Sequence, residues 1–250
     1  MTDTTEPASR EELAHAAPVR DMGLIGRLVG VLFSPRRTFE VVVQKPRWLG
    51  ALLAIALIVA GASSWLVGTE LGQQMLLEQQ VSAMESFGIT VSDEVYGQLK
   101  RRLEGAVYFT AGGVLVSIPV VTLVIAGVVW TVGYVAFGAG ARFRAMYAVV
   151  AHAGAINIVQ QLFVVPLNYA RGAMGNPTTV AAFFPMLEEG SFADRTLGLI
   201  DLFVVWQLFV LSIGTAVLYG RRTGPIATAF YLLYAVIATG GGFALSQMGG

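Results

Sequence analysis

The chain has 250 residues, of which 55% are hydrophobic and 13% charged, with zero net charge and no cysteine. That balance is too apolar for an ordinary soluble domain, and it lacks the clustered basic excess of a nucleic-acid binder. Without cysteine there is no disulfide, thiolate metal site or cysteine nucleophile, and two histidines, His15 and His152, give little material for a His-rich metal centre or a Ser-His-Asp triad.

Residues 1–20 contain no apolar run. They lack the basic start and apolar core of a signal peptide and read as a disordered cytoplasmic tail. Residues 21–47 read as two interfacial helices. In the first, Leu24, Ile25, Leu28, Val29, Leu32 and Phe33 recur at helical spacing, with Arg20 and Arg27 on the other side. The segment is too short to span, so it is expected to lie in the cytoplasmic interface. Ser34 and Pro35 suit the N-cap and first position of the second helix. Phe39, Val42 and Val43 are its apolar face, and Pro46 ends it.

Residues 48–250 read as a domain of five transmembrane helices. The first is Leu49–Val67, nineteen residues without a charge, with Trp48 and Trp65 near its ends. The loop 68–106 follows. Its Gln-rich segment Glu70–Ser86 and a second helix starting at Ser92-Asp93-Glu94 form an extracytoplasmic helical hairpin, broken at Gly88. Val107–Phe137 is the longest apolar run and must tilt, kink or project. Ala145–Ala170 is the third span. The loop 171–196 holds Asn176-Pro177 and the apolar cluster Phe183-Phe184-Pro185-Met186-Leu187, expected to dip into the interface. Ser191-x-x-Asp194 resembles a capping box for the fourth span, Leu197–Tyr219, and Pro225–Met248 is the fifth. The fold class is therefore all-α and polytopic.

Lys and Arg fix the orientation. Seven lie before the first span, two in the second-to-third link and two in the fourth-to-fifth link, against three and two in the long loops. Eleven against five places the N-terminus in the cytoplasm and the C-terminus outside. Fourteen arginines against two lysines, with abundant alanine and glycine, fit a GC-rich bacterial genome and hence a bacterial cytoplasmic membrane.

Several features together resemble the bacterial branch of the Yip1-domain family. They are Leu-x-x-x-Leu-Phe-x-Pro-x-x-Thr-Phe at Leu28–Phe39, Pro-Arg-Trp before the first span, the Gln-rich segment after it, and Phe-Gly-x-Gly-x-x-Phe at Phe137–Phe143. The likeness covers roughly Leu24 to Met248. The third span departs from the family pattern, with no proline in Ala153–Ile156, and the Asp-Leu-Tyr-Gly-Pro motif of the eukaryotic branch is absent. The resemblance implies an integral membrane scaffold or adaptor, an accessory of export ABC transporters or of envelope processes.

Three groups of residues are candidate sites. His152, Asn157, Gln160, Gln161 and Asn168 on the third span, with Asp201 near the outer end of the fourth, are intramembrane polar groups. They could form a polar path or ligand site, or simply hydrogen-bond between helices. Asp201 is expected near the outer interface, within reach of water and at the depth of Asn168. Met75, Leu76, Val95, Leu99 and Leu103 of the hairpin could dock a partner protein or a second copy, or pack against each other. Arg36, Arg37, Arg142, Arg144, Arg221 and Arg222 would converge on the cytoplasmic leaflet, for topology or for anionic lipid. Gly240-Gly241-Gly242 suggests a tight helix crossing or a hinge. The leading reading is a non-enzymatic scaffold without a cofactor, whose partners are the lipid bilayer and other membrane proteins or copies of itself. The alternative is a pore or carrier using the third-span amides and Asp201.

Overall fold

The computed structural model describes residues 22–248, apart from 87, 139 and 189. The tail expected over residues 1–20 lies outside the described residues. Among these there are eleven α-helices, two short 3-10 turns and no strand. Two helices, α1 (Leu24–Phe33) and α2 (Pro35–Gln44), precede the first crossing, α3 (Trp48–Val67). The hairpin is α4 (Glu70–Ser86) and α5 (Asp93–Arg102), and a 3-10 turn joins α5 to α6 (Ala106–Phe137). Then follow α7 (Phe143–Ala153), α8 (Ala155–Arg171), the short α9 (Phe192–Gly198), α10 (Leu202–Tyr219) and α11 (Thr223–Met248). Five stretches are long and apolar enough to cross a membrane: α3, the α5–α6 rod, α7 with α8, α10 and α11.

The structure alters two of the expected boundaries. The third crossing is interrupted at Gly154, where Asn157 N–H bonds to Gly154 O at 2.9 Å. The fourth begins at Leu202 rather than Leu197: Ser191 Oγ accepts Asp194 N–H and caps only the seven-residue α9, after which the chain opens before α10. Apolar sequence runs through this break, so hydropathy does not reveal it. Backbone hydrogen bonding to another segment does, as described below.

The core lies among α2, α7, α8 and α10. Phe39 and Val42 of α2 meet Met146 and Val149 of α7, Ile156 of α8 and Val210 of α10. Gly214 permits this closeness: a Cβ there would lie 2.5 Å from Val149 Cγ1 and 3.1 Å from the Phe39 ring. Because α2 packs on α7 and α10 while α1 packs on α3, α7 and α8, the N-terminal pair is folded into the bundle. Its faces differ from the amphipathic reading. Arg27, placed there on the water-facing side, is buried at 6% exposure, while Ile25, Val29 and Phe33 form an exposed apolar stripe. Burial of Arg27 among helices leaves lipid-compatible side chains outside.

By contrast α6 and α11 flank the bundle. The α5–α6 rod and α11 are mostly uncovered along their apolar lengths, whereas α3 and the third crossing are about half buried. Their uncovered side chains are mostly Val, Leu, Ile and Phe, which suit hydrocarbon. Near its end α11 crosses α9 at the glycine run: a Cβ on Gly242 would lie 2.7 Å from Thr196 Cα. Gly241 and Gly242 therefore sit at a close crossing, while Gly240 faces open space.

Aromatic pairs mark the two ends of the bundle. Trp48 meets Tyr147 edge-on at 4.9 Å near one end, and Trp65 meets Tyr169 at 5.6 Å near the other. The first of these is the arginine-rich end and the second the hairpin end. The loop after α8 reaches the hairpin, since Met174 packs beside Leu66, Met75, Leu77 and Leu99.

Candidate functional site

The sequence of α10 starts with an aspartate followed by a long apolar run, and Asp201 serves as that helix's N-cap. Its Oδ1 accepts Phe203 N–H at 2.7 Å and Val204 N–H at 3.1 Å. These are two of the four N–H groups a helix start leaves without an intrahelical acceptor. Its Oδ2 accepts the Thr178 hydroxyl at 2.5 Å and Gln160 Nε2–H at 3.3 Å. Asp201 N–H in turn donates to the Tyr234 hydroxyl at 3.0 Å, and that hydroxyl donates to Leu199 O at 2.8 Å.

Backbone pairing fixes the Thr178 segment here. Thr179 and Asp201 form an isolated antiparallel bridge, with Val180 N–H to Ile200 O at 2.8 Å and Leu202 N–H to Thr178 O at 3.0 Å. One carboxylate thus joins α8, the loop and α10, and Tyr234 ties α11 to its backbone. Asp201 is 4% exposed, so it is screened from water, contrary to the expected hydrated position. Its direct polar partners are N–H and O–H donors rather than a cation, and the positive end of α10 adds about 0.3–1 kcal/mol of favourable field. Thr178 also lies 2.8 Å from Asn176 Oδ1 and, with a single proton to give, serves one of its two acceptors at a time.

The other third-span polar groups do not form a continuous line. Asn168, 6% exposed, donates to Gly175 O at 3.0 Å, holding the same loop a few residues earlier than Asp201 does. His152 is fully buried. Its Nδ1 is 2.8 Å from Ala148 O, which can only accept, so the proton sits on Nδ1. The Nε2 then faces the interior without a hydrogen-bond partner among the described residues. Asn157 and Gln161 are half-buried, with no side-chain hydrogen bond among the described residues. Beside the Asp201 cluster lies an apolar cleft of about 490 Å³, walled by Phe163, Leu167, Pro177, Phe183, Phe203 and Trp206, with Thr178 as its polar edge. Among the described residues no group of three His, Asp or Glu could hold a metal ion.

The hairpin and the arginines are placed as follows. Leu99 and Leu103 pack with Val67 and Leu77, with Leu76 and Val95 alongside, while Met75 packs with Leu66 and Val165. Met75, Leu99 and Leu103 are thereby covered within the chain. Arg36 pairs with Glu40 at 3.7 Å and Arg221 lies 5.3 Å over the Phe137 ring. Arg142 and Arg144 are brought together in one cavity, whereas Arg37 and Arg222 are simply exposed. Thr178 and Tyr234 were not singled out in the sequence. Thr178-Thr179-Val180, three β-branched residues after Asn176-Pro177, are the local signal for a short extended segment.

Fold and site together define a helical integral membrane protein in which a buried carboxylate ties a loop to the spans. The chain belongs to the Yip1 domain family, whose model matches residues 29–246, from within α1 to the last turn of α11. No curated protein and no solved structure matches it.

Proposed function

We propose that this Yip1 domain protein is a non-enzymatic membrane scaffold or adaptor, an accessory subunit of a larger assembly such as an ABC-type export complex. The observation that carries this reading is the use made of the polar groups in the spans. Asp201 holds Thr178, Gln160 donates to the same Asp201 oxygen, and Asn168 holds Gly175. Three of the groups that a carrier would turn toward a solute, Gln160, Asn168 and Asp201, are engaged in fastening the chain's own loop, while Asn157 and Gln161 are not. In this reading the hairpin is the docking element. Its buried leucines give it shape, and Ile89 and Tyr96, each about half exposed, remain on its outside. Purified from its host in mild detergent, the chain should bring an ATP-hydrolysing membrane assembly with it in fixed proportion. Ile89→Glu with Tyr96→Glu should strip that assembly while the five spans still insert. Recovery of the chain alone, with a solute flux in proteoliposomes that Gln160→Leu abolishes, would establish a carrier instead.

We place the arginine-rich end and the N-terminus in the cytoplasm of a bacterial cell, on the Lys and Arg asymmetry of eleven to five. Reporter fusions after Arg144 and Arg222 should then read cytoplasmic, and fusions after Glu85 and Gly175 external. A cytoplasmic signal at Gly175 contradicts this arrangement.

A further inference from the structure

Two turns distant in sequence meet at the arginine-rich end. In the first, Pro46 stops α2 and Arg47 N–H closes on Lys45 O at 2.8 Å before α3 starts. In the second, Gly138 leaves α6 with a φ of +85°, and Trp130 Nε1–H, 2.9 Å from Ala141 O, pins the link to its own helix. Between them lies a cavity of about 530 Å³. Lys45, Arg47, Arg142 and Arg144 all line it, and none of the described residues that line it is acidic. The first turn of α7 forms part of the wall, and its N-cap, Arg142, makes no side-chain capping bond. Its leading N–H groups therefore add their partial positive charge to that of Arg142 and Arg144.

Arginines that only set orientation need no common cavity. Here cations from two separate segments, nearly a hundred residues apart, surround one space large enough for a phosphate group and its substituents. The surroundings indicate its depth. Trp48 packs on Tyr147, Tyr147 beside Phe143, and Phe143 edge-on to Trp130, a chain of rings of the kind that sits at the headgroup layer. Just past Arg47, Leu49 and Leu53 lie one turn apart on α3 and are about half exposed, a surface suited to acyl chains.

We propose that this cavity binds a phosphate-bearing anion, and that the anion is the headgroup of an anionic phospholipid. The test uses the full chain in mild detergent, with native mass spectrometry to count retained lipid and thermal melting to report stabilisation. Phosphatidylglycerol should be retained in preference to phosphatidylcholine and should raise the melting temperature, whereas millimolar inorganic phosphate should not. Arg142→Gln with Arg144→Gln should reduce phosphatidylglycerol retention by about tenfold. Arg142→Lys with Arg144→Lys should keep most of it, which separates loss of charge from loss of fold. Arg221→Gln with Arg222→Gln removes as much charge at the other link and should change nothing. Equal retention of both lipids, or undiminished retention by the Gln pair, overturns the site. Stabilisation by inorganic phosphate equal to that by lipid overturns the phospholipid as its source.

Discussion

Asp201→Ala should lower the stability of the purified chain by about 3 kcal/mol and expose the segment from Gly175 to Gly190 to proteolysis. Loss of the cap costs about 1 kcal/mol. The rest comes from the Gln160 amide, left without its acceptor at about 1–3 kcal/mol for an unmet buried polar group, while the Thr178 hydroxyl turns to Asn176 Oδ1 and no longer ties the loop to α10. Hydrogen bonds between membrane helices average only about 0.6 kcal/mol, because the opened chain finds other partners. That average describes single pairs, whereas this carboxylate accepts four bonds at 4% exposure. Asp201→Ser separates the contributions: its hydroxyl can still cap α10 but cannot reach the loop, so it should recover about 1 kcal/mol and leave the loop loose. A melt for Asp201→Ala that coincides with that of the parent chain would show that the cluster carries no stability.

The second large effect is expected at Gly214, where Gly214→Val should cost about 2–3 kcal/mol by overpacking. The nearest atoms to an added Cβ are Val149 Cγ1 at 2.5 Å and the Phe39 ring at 3.1 Å, both in fully buried side chains that have no space to retreat into. The cheapest relief is for α2 to lift off α10. The substitution should therefore make Arg36-Arg37, at the α1–α2 turn, more susceptible to trypsin. Val149→Ala removes the closest atom and should restore much of the lost stability in the double variant, although alone it leaves a cavity and destabilises. Additive losses in the pair would mean that Gly214 is not held by this contact.

The crossings were legible because they depend on composition over about twenty residues, and a charge-free run such as Leu49–Val67 states its preference locally. The start of α5 was equally local: Ser92 Oγ does accept Val95 N–H, at 3.4 Å. What stayed hidden depends on partners far along the chain. Asp201 read as an acid inside a span because its cap function is decided by where α10 starts, and that start is fixed by pairing with Thr178, 23 residues earlier. Ser191 and Asp194 supplied a plausible competing start, and they cap the short helix just before it. Likewise Lys45 and Arg47 carried no sign that they would join Arg142 and Arg144. The meeting depends on how α2 and α7 pack, which no local pattern encodes. The hairpin leucines had helical spacing that fitted either docking or self-packing, and only their neighbours distinguish the two.

The late start of α10 also bears on the bilayer around the protein. Its eighteen residues measure about 27 Å, a few ångströms less than a typical hydrocarbon thickness of about 30 Å. Beyond Asp201 the chain does not continue as a helix. The chain there forms the short α9 and the turn at 180–183, and Phe183, Met186 and Phe192 along this stretch are exposed. The thirty-two-residue α6, by contrast, measures about 48 Å. Two helices that touch through Tyr219 and Trp130 thus differ in length by about 21 Å, a mismatch the longer one takes up by tilting or by projecting past the bilayer.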